Sequence, residues 1–340
     1  MSTGLDRKLQ IHTLASDLGL QQSATPCQCI LQSVDSKVKV LKKKFMCKTL
    51  NELLIAIAND VGTIFREIRF DSDLQKIQEE YVSKGELIFA NLSNDLSQPD
   101  DYGITLGLHH QKAWDPKFVS VIDCRGDKGF RTYFTKWHEL AHLLTLTPQM
   151  RLVFRRSHSR ENSNDPEEKL MDVIASSVGF HADFFPESVR GDISFESIAT
   201  IKSEFCPDAS VQAATIGIVK AFPSPCILVE AEMALKKDEA AAALQTGFPF
   251  CDVPKQSLRA VHATVNASAR EAGLQFFKNW RVPLASVIRK VFDGGGYAEA
   301  EEDLSWWNTS DGSHLKCLPI RVKAVRTGKS VKALLIPINS

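Results

Sequence analysis

The chain has 340 residues, 44% hydrophobic and 24% charged, an ordinary globular composition with length enough for two modest domains. Its 41 basic and 41 acidic residues cancel, which argues against whole-protein attraction to nucleic acid or to an anionic membrane. No run approaches the roughly 18 to 20 apolar residues that span a bilayer, and the polar start Met1-Ser2-Thr3-Gly4-Leu5-Asp6 leads into no apolar signal core, so a cytoplasmic protein is expected.

In the first 45 residues Val34, Val38 and Leu41 fall at helical spacing, beside a lysine-rich run from Lys37 to Lys44 that reads as a solvated helix face. Thr49-Leu50-Asn51-Glu52 has the form of a capping box and predicts a helix through Leu53, Leu54, Ile55, Ile57 and Ala58, ended by Gly62. Thr63 to Phe70 alternates like a half-buried strand, and Asp73 to Lys84 returns to the helical period. Tyr102 to Leu108 and Phe118 to Asp123 read as two further strands. They form a small sheet whose edge is a candidate to take an extended segment as an added strand. His109 and His110 follow one strand, and neighbours on a strand point to opposite faces, so both are taken as structural. The eight cysteines contain no Cys-x-x-Cys pair and read as reduced thiols, Cys27 and Cys29 included.

The chemistry is concentrated next, in Phe134-Thr135-Lys136-Trp137-His138-Glu139-Leu140-Ala141-His142-Leu143-Leu144. His138, Glu139 and His142 spell His-Glu-x-x-His, and four residues make about one helical turn, so both imidazoles project from one face. A catalytic zinc takes three protein ligands and leaves a position for water. Glu139, beside the first ligand, is placed to take a proton from that water. Trp137, Leu140, Ala141, Leu143 and Leu144 make the helix apolar nearly all round, and buried histidines need partners, which one metal would supply to both. A second apolar helix is expected from Glu167, with Asp165 as its cap and Pro166 in its first turn. It offers Glu168 as third ligand and, one turn on, Asp172 as acceptor for the second N–H of a ligand histidine; standing in an apolar run, Asp172 is expected to be a buried mid-helix carboxylate that needs such a donor. Zinc is the expected ion; two histidines and a carboxylate also admit manganese or iron.

The run Phe130-Arg131-Thr132-Tyr133-Phe134-Thr135-Lys136-Trp137-His138-Glu139-Leu140-Ala141-His142, followed by Glu168-x-x-x-Asp172-x-Ile174-Ala175, resembles the ImmA/IrrE family of metallopeptidases over roughly residues 50 to 190. By that resemblance His138 and His142 match the histidine ligands, Glu139 the general base and Glu168 the carboxylate ligand. Asp172 stands where the family usually has Asn, Met171 where it has Ala and Ile174 where it has Phe. The Glu-x-x-x-Asp spacing is also similar to the thermolysin-like zincins, in which the aspartate supports a ligand histidine. The resemblance implies a protein substrate, such as a helix-turn-helix transcriptional repressor.

His158 and His181 flank the proposed ligand helix, and with Tyr133, Arg155 and Arg156 they are candidates to stabilise an oxyanion. Two or three helices are expected from Ile193 to Lys220, without a basic recognition helix, so direct nucleic-acid binding is not expected. A further helix is expected from Val229 to Thr246. Leu258 to Asn266 alternates, Val282 to Val291 reads as a short helix, Gly294-Gly295-Gly296 as a break, and Cys317 to Arg326 with Ser330 to Ile338 as a hairpin. Trp306-Trp307 is read as packing.

The expected fold is α+β: an N-terminal helical extension (1–48), a zincin-like catalytic domain with a small mixed sheet and the His-Glu-x-x-His helix (49–190), a helical region (191–248) and a small C-terminal α+β domain (249–340). The expected function is a zinc-type endopeptidase acting on a protein segment. The alternatives are a catalytically silent binding or regulatory protein on the same scaffold, and a hydrolase of small amides or esters.

Overall fold

A computed structural model describes residues 4–20, 25–109, 115–146, 165–185, 193–236, 239, 255–307 and 315–338. It is an α+β protein with one three-stranded and one five-stranded sheet among the described residues. Two compact units emerge, one of residues 1–184 and 200–217, the other of 185–199 and 218–340. Residues 1–48 thus group with the proposed catalytic segment.

The first unit begins with helices α1 (Gly4–Asp17), α2 (Pro26–Lys44) and α3 (Leu50–Val61). In α2 the buried residues are Ile30, Val34, Val38 and Leu41, the stripe that the spacing predicts. The lysine run on its other side is partly neutralised, Lys39 by Asp35 at 2.8 Å and Lys42 by Asp183 at 3.5 Å. The capping box forms at α3: the Thr49 hydroxyl accepts from the Glu52 N–H, and Glu52 accepts from the Thr49 N–H. Gly62 then turns the chain at φ 79°, a left-handed conformation that glycine adopts without cost.

The turn delivers β1 (Thr63–Ile68). After it come α4 (Asp71–Ser83), a single turn α5 (Leu92–Asp95), β2 (Gly103–Gly107) and β3 (Phe118–Asp123). The sheet order is β1-β3-β2, with β1 parallel and β2 antiparallel to β3, so β3 is central and β2 lies at one end. Side chains alternate across this sheet. Ile104, Leu106, Val119 and Val121 are at most 1% exposed and pack with Leu74, Ile77 and Tyr81 of α4, each apolar side chain contributing about 1.5–3 kcal/mol. Gly103 and Thr105 face the other way, toward α6 (Thr132–Thr145): a β-carbon on Gly103 would lie 2.8 Å from the Thr135 methyl. A glycine here lets the helix approach the sheet.

Helix α7 (Pro166–Gly179) packs against α6. Its N-terminus is built as expected, with Asp165 accepting from the Glu167 N–H at 2.9 Å and Pro166 in the first turn. At its C-terminus the Trp137 ring covers Gly179, where a β-carbon would lie 2.8 Å from the indole. Gly179→Ala is therefore expected to overpack the junction and cost about 1–3 kcal/mol, read as a lower urea midpoint at unchanged m. A change within about 0.5 kcal/mol would mean that Trp137 gives way freely.

Helices α8 (Phe195–Phe205) and α9 (Val211–Ala221) are where two or three helices were expected. The second unit is built on an antiparallel sheet of β4 (Ile227–Ala234), β5 (Ser257–Val265), β6 (Tyr297–Asp303), β7 (Pro319–Thr327) and β8 (Ser330–Pro337), in the order β5-β4-β8-β7-β6. A short α10 (Ala267–Glu271) and α11 (Val287–Gly294) follow β5, and Val287, Ile288 and Val291 of α11 join the core formed by Val229, Ala231, Val322 and Trp307.

Two expectations are corrected here, and one strand is new. The segment from Val229, expected as a helix to Thr246, runs as β4 to Ala234, with residues 240–254 outside the described set. Ala231, Glu232, Met233 and Ala234 favour a helix locally, but β4 pairs with β5 along its whole length and with β8 as far as Ala231, which overrides that preference. The helix expected from Val282 begins at Val287 because Ser286 caps it, accepting from the Ile288 N–H. Strand β6, Tyr297-Ala298-Glu299-Ala300-Glu301-Glu302-Asp303, was not anticipated; it is an edge strand, where outward charges are tolerated. The hairpin β7–β8 turns through Gly328 as expected. Trp307 is wholly buried and Trp306 is 43% exposed. Among the described residues no helix is long and apolar enough to cross a membrane.

Candidate metal centre

The site is assembled by α6 and α7. On α6, one turn separates His138 from His142, and their Nε2 atoms lie 3.3 Å apart. On α7, Leu170, Met171, Ile174, Ala175 and Val178 are buried, which turns Glu168 and Asp172 to the opposite side. The Glu168 carboxylate lies 3.3 Å from His138 Nε2 through Oε2 and 3.7 Å from His142 Nε2 through Oε1. One ligand atom from each of His138, His142 and Glu168 falls within 4.8 Å of the others, a cluster that could hold a metal ion. Both histidines are buried, whereas the Glu168 side chain is 35% exposed, so the cluster is open on the α7 side.

The donor set fits a tetrahedral ion. With metal–ligand distances of about 2.0–2.2 Å, the edge between two ligand atoms is about 3.3–3.6 Å, close to the separations of the two imidazoles and of His138 from Glu168. His138 Nδ1 lies 2.8 Å from Asp172 Oδ1. An Nδ1–H donated to that carboxylate leaves the Nε2 lone pair directed at the cluster, the tautomer a ligand needs. Asp172 is not the buried mid-helix carboxylate that its apolar neighbours suggested, since its side chain is 57% exposed. Val173 beside it is also exposed, at 48%.

Glu139, the next residue along α6, is completely buried. Its Oε2 accepts from the Thr105 hydroxyl of β2 at 2.6 Å. Thr105 had gone unnoticed among the sequence candidates, because a lone threonine in an alternating strand carries no signal until the strand is docked against α6. On another side of α6 a cavity of about 500 Å³ is lined by Glu67, Arg69, Cys124, Thr132 and Lys136. Three of its charges are mutually paired, with Lys136 Nζ at 2.6 Å and Arg69 Nη2 at 2.9 Å from the two Glu67 oxygens. Burial pushes the Cys124 thiol up, which disfavours the thiolate.

The other candidates fall away from the cluster or outside the described residues. Tyr133 is buried and donates its phenol to the Gly179 carbonyl at 2.5 Å, and burial raises its pKa, so it is committed to the α6–α7 junction. His181 Nε2 lies 3.1 Å from Asp35 Oδ1, and its Nδ1 accepts from the Asp183 N–H. His109 pairs with Glu86, whose carboxylate accepts the His109 backbone N–H at 2.7 Å and lies 3.4 Å from Nδ1. Arg155, Arg156, His158 and His110 lie outside the described residues.

No family model matches the chain, and no curated protein matches it. Among solved structures, one described as a Mycobacterium tuberculosis transcriptional regulator is similar at 12% identity, over 89% of this chain and 75% of that one, with a TM-score of 0.40. A likeness of that extent fixes neither fold nor function.

Proposed function

We propose that the protein is a metal-dependent endopeptidase, with His138, His142 and Glu168 holding a zinc-type ion and Glu139 acting as general base. The observation that carries this reading is the convergence of the three ligand atoms with a carboxylate, Asp172, behind one of the imidazoles. When bound, such an ion supplies Lewis acidity, which polarises a carbonyl and acidifies water. Glu139 takes the proton from the attacking water and passes it to the nitrogen of the departing amine, so that the carboxylate is regenerated in each turnover. Asp172 holds His138 in one tautomer. Strand β2, at the end of the sheet and touching Glu139 through Thr105, is the strand beside which an extended segment would lie. Manganese satisfies the same ligands. The family resemblance suggests a transcriptional repressor as the substrate protein.

One observation favours a second reading, a silent scaffold. Glu139 is fully buried and bonded to the sheet, as a carboxylate that merely anchors α6 would be. The two readings separate on a proteome-derived peptide library incubated with zinc- or manganese-loaded protein and analysed for new termini by mass spectrometry. The peptidase reading expects wild-type cleavage at recurring sites, reduced about 100-fold or more in Glu139→Gln. Loaded wild type that generates no new termini leaves the scaffold reading standing.

A further inference from the structure

Three hydroxyls line up behind Glu139, one from each strand of the first sheet. Thr105 Oγ1 of β2 lies 2.6 Å from Glu139 Oε2, Ser120 Oγ of β3 lies 2.8 Å from Thr105 Oγ1, and Thr63 Oγ1 of β1 lies 3.1 Å from Ser120 Oγ. All four residues are at most 2% exposed. Thr105 and Ser120 are directly opposite in the β2–β3 register, which puts both hydroxyls on the face turned to α6.

Counting protons gives the row a direction. An ionised Glu139 can only accept, so the Thr105 proton goes to it, and 2.6 Å is the length of a charge-assisted hydroxyl–carboxylate bond. The contact between Thr105 and Ser120 must then use the Ser120 proton, and that between Ser120 and Thr63 the Thr63 proton. Thr63 also approaches the Phe118 carbonyl, but at 3.4 Å that contact is the longest of the set. The separations lengthen with distance from the carboxylate, as expected when each hydroxyl is polarised by the one ahead of it.

We infer that Thr105, backed by Ser120 and Thr63, is a positioning residue that holds the Glu139 carboxylate in one orientation for proton transfer. The inference rests on the reading of Glu139 as general base. A glutamate's terminal torsion is broad and nearly two-fold on its own. Pinning Oε2 to a rigid strand removes that freedom and with it the reorganisation that each proton transfer would otherwise require. The hydroxyl row joins the outermost strand to the central one and the central one to β1, so the orientation is referenced to the whole sheet.

The probe is acetohydroxamic acid, whose acidic OH needs a neighbouring acceptor as it chelates. It is titrated into the cobalt-loaded full-length protein and followed by the visible absorption of the ion, with unfolding of the metal-free chain measured in parallel. Glu139→Gln and Thr105→Val are each expected to weaken hydroxamate binding about tenfold or more, at unchanged metal content, and the double variant to be no weaker than either single one. Thr105→Ser, which keeps the hydroxyl, should stay within about threefold of wild type. Ser120→Ala, which keeps the Thr105–Glu139 bond and removes the donor behind it, should weaken binding by about two- to fivefold and carries the test if Thr105→Val does not fold. A merely structural Thr105 would lower the unfolding midpoint and leave the hydroxamate affinity of the folded protein as it was. That result, with Glu139→Gln still weakened, overturns the positioning role alone. Hydroxamate binding unaffected by Glu139→Gln overturns the general-base reading and the positioning role with it.

Discussion

Replacing His142 or Glu168 by Ala is expected to strip the protein of metal while leaving it folded. Wild type should carry about one ion per chain. A four-ligand structural zinc site is worth about 10–16 kcal/mol, so an even share is on the order of 3 kcal/mol per ligand and each loss costs on the order of a hundredfold or more in affinity. Folding should survive because α6 and α7 meet through Trp137, Gly179, Met171 and Thr145, none of which touches the cluster by way of the ion. Asp172→Ala should act more mildly, weakening metal about 10- to 100-fold by releasing the His138 ring. Equilibrium dialysis against a zinc buffer, with circular dichroism on the same samples, measures both quantities. Full zinc affinity in Glu168→Ala would remove α7 from the site and end the three-ligand assignment.

The second large effect concerns the segment that leads into α6. Asp123 ends β3 with its side chain fully buried, and accepts from Arg125 Nε and Nη2 at 2.8 Å each, from Lys128 Nζ at 2.7 Å and from the Arg125 N–H at 3.1 Å. Desolvation pushes its carboxyl up, but these donors outweigh it and hold the pKa below the ordinary aspartate value. A carboxyl depressed in the folded state contributes stability that is complete above its unfolded pKa of about 3.9 and is lost as pH falls through the folded value. Asp123→Asn should therefore flatten the loss of stability below about pH 4, and a slope equal to that of wild type would exclude Asp123 as its source. At neutral pH, Asp123→Ala should cost about 2–4 kcal/mol, less than the 3–5 kcal/mol for a wholly buried pair because Arg125 keeps contact with water and with Asp71.

The parts of the fold legible in the sequence are those fixed within a few residues. The Thr49 capping box, the Gly62 stop, the Asp165-Pro166 start of α7 and the two histidines one turn apart each contain their own geometry. Asp172 was placed behind a histidine by spacing alone, although the supporting argument, that it is buried, does not hold. What was missed depends on neighbours far along the chain. Strand β4 is helix-forming by composition and extended because β5 and β8 hold it. Strand β6 is acidic as an edge strand, paired on one side only among the described residues. Thr63, Thr105 and Ser120 form a row only once the strand order β1-β3-β2 is known, an order that brings β3 in between two earlier strands.

That strand order also sets a schedule. Thr63 and Ser120 are 57 residues apart, and the parallel pairing of β1 with β3 closes a connection that contains α4 and β2. During synthesis the sheet can close only after Asp123 has left the ribosome, the helix bearing the two histidines follows, and Glu168 emerges last. A nascent chain thus completes the bed for its carboxylate before it possesses a full set of ion-binding groups. On the proposed reading, a metal would find its third ligand only once Glu168 has followed the sheet and the two histidines out of the ribosome.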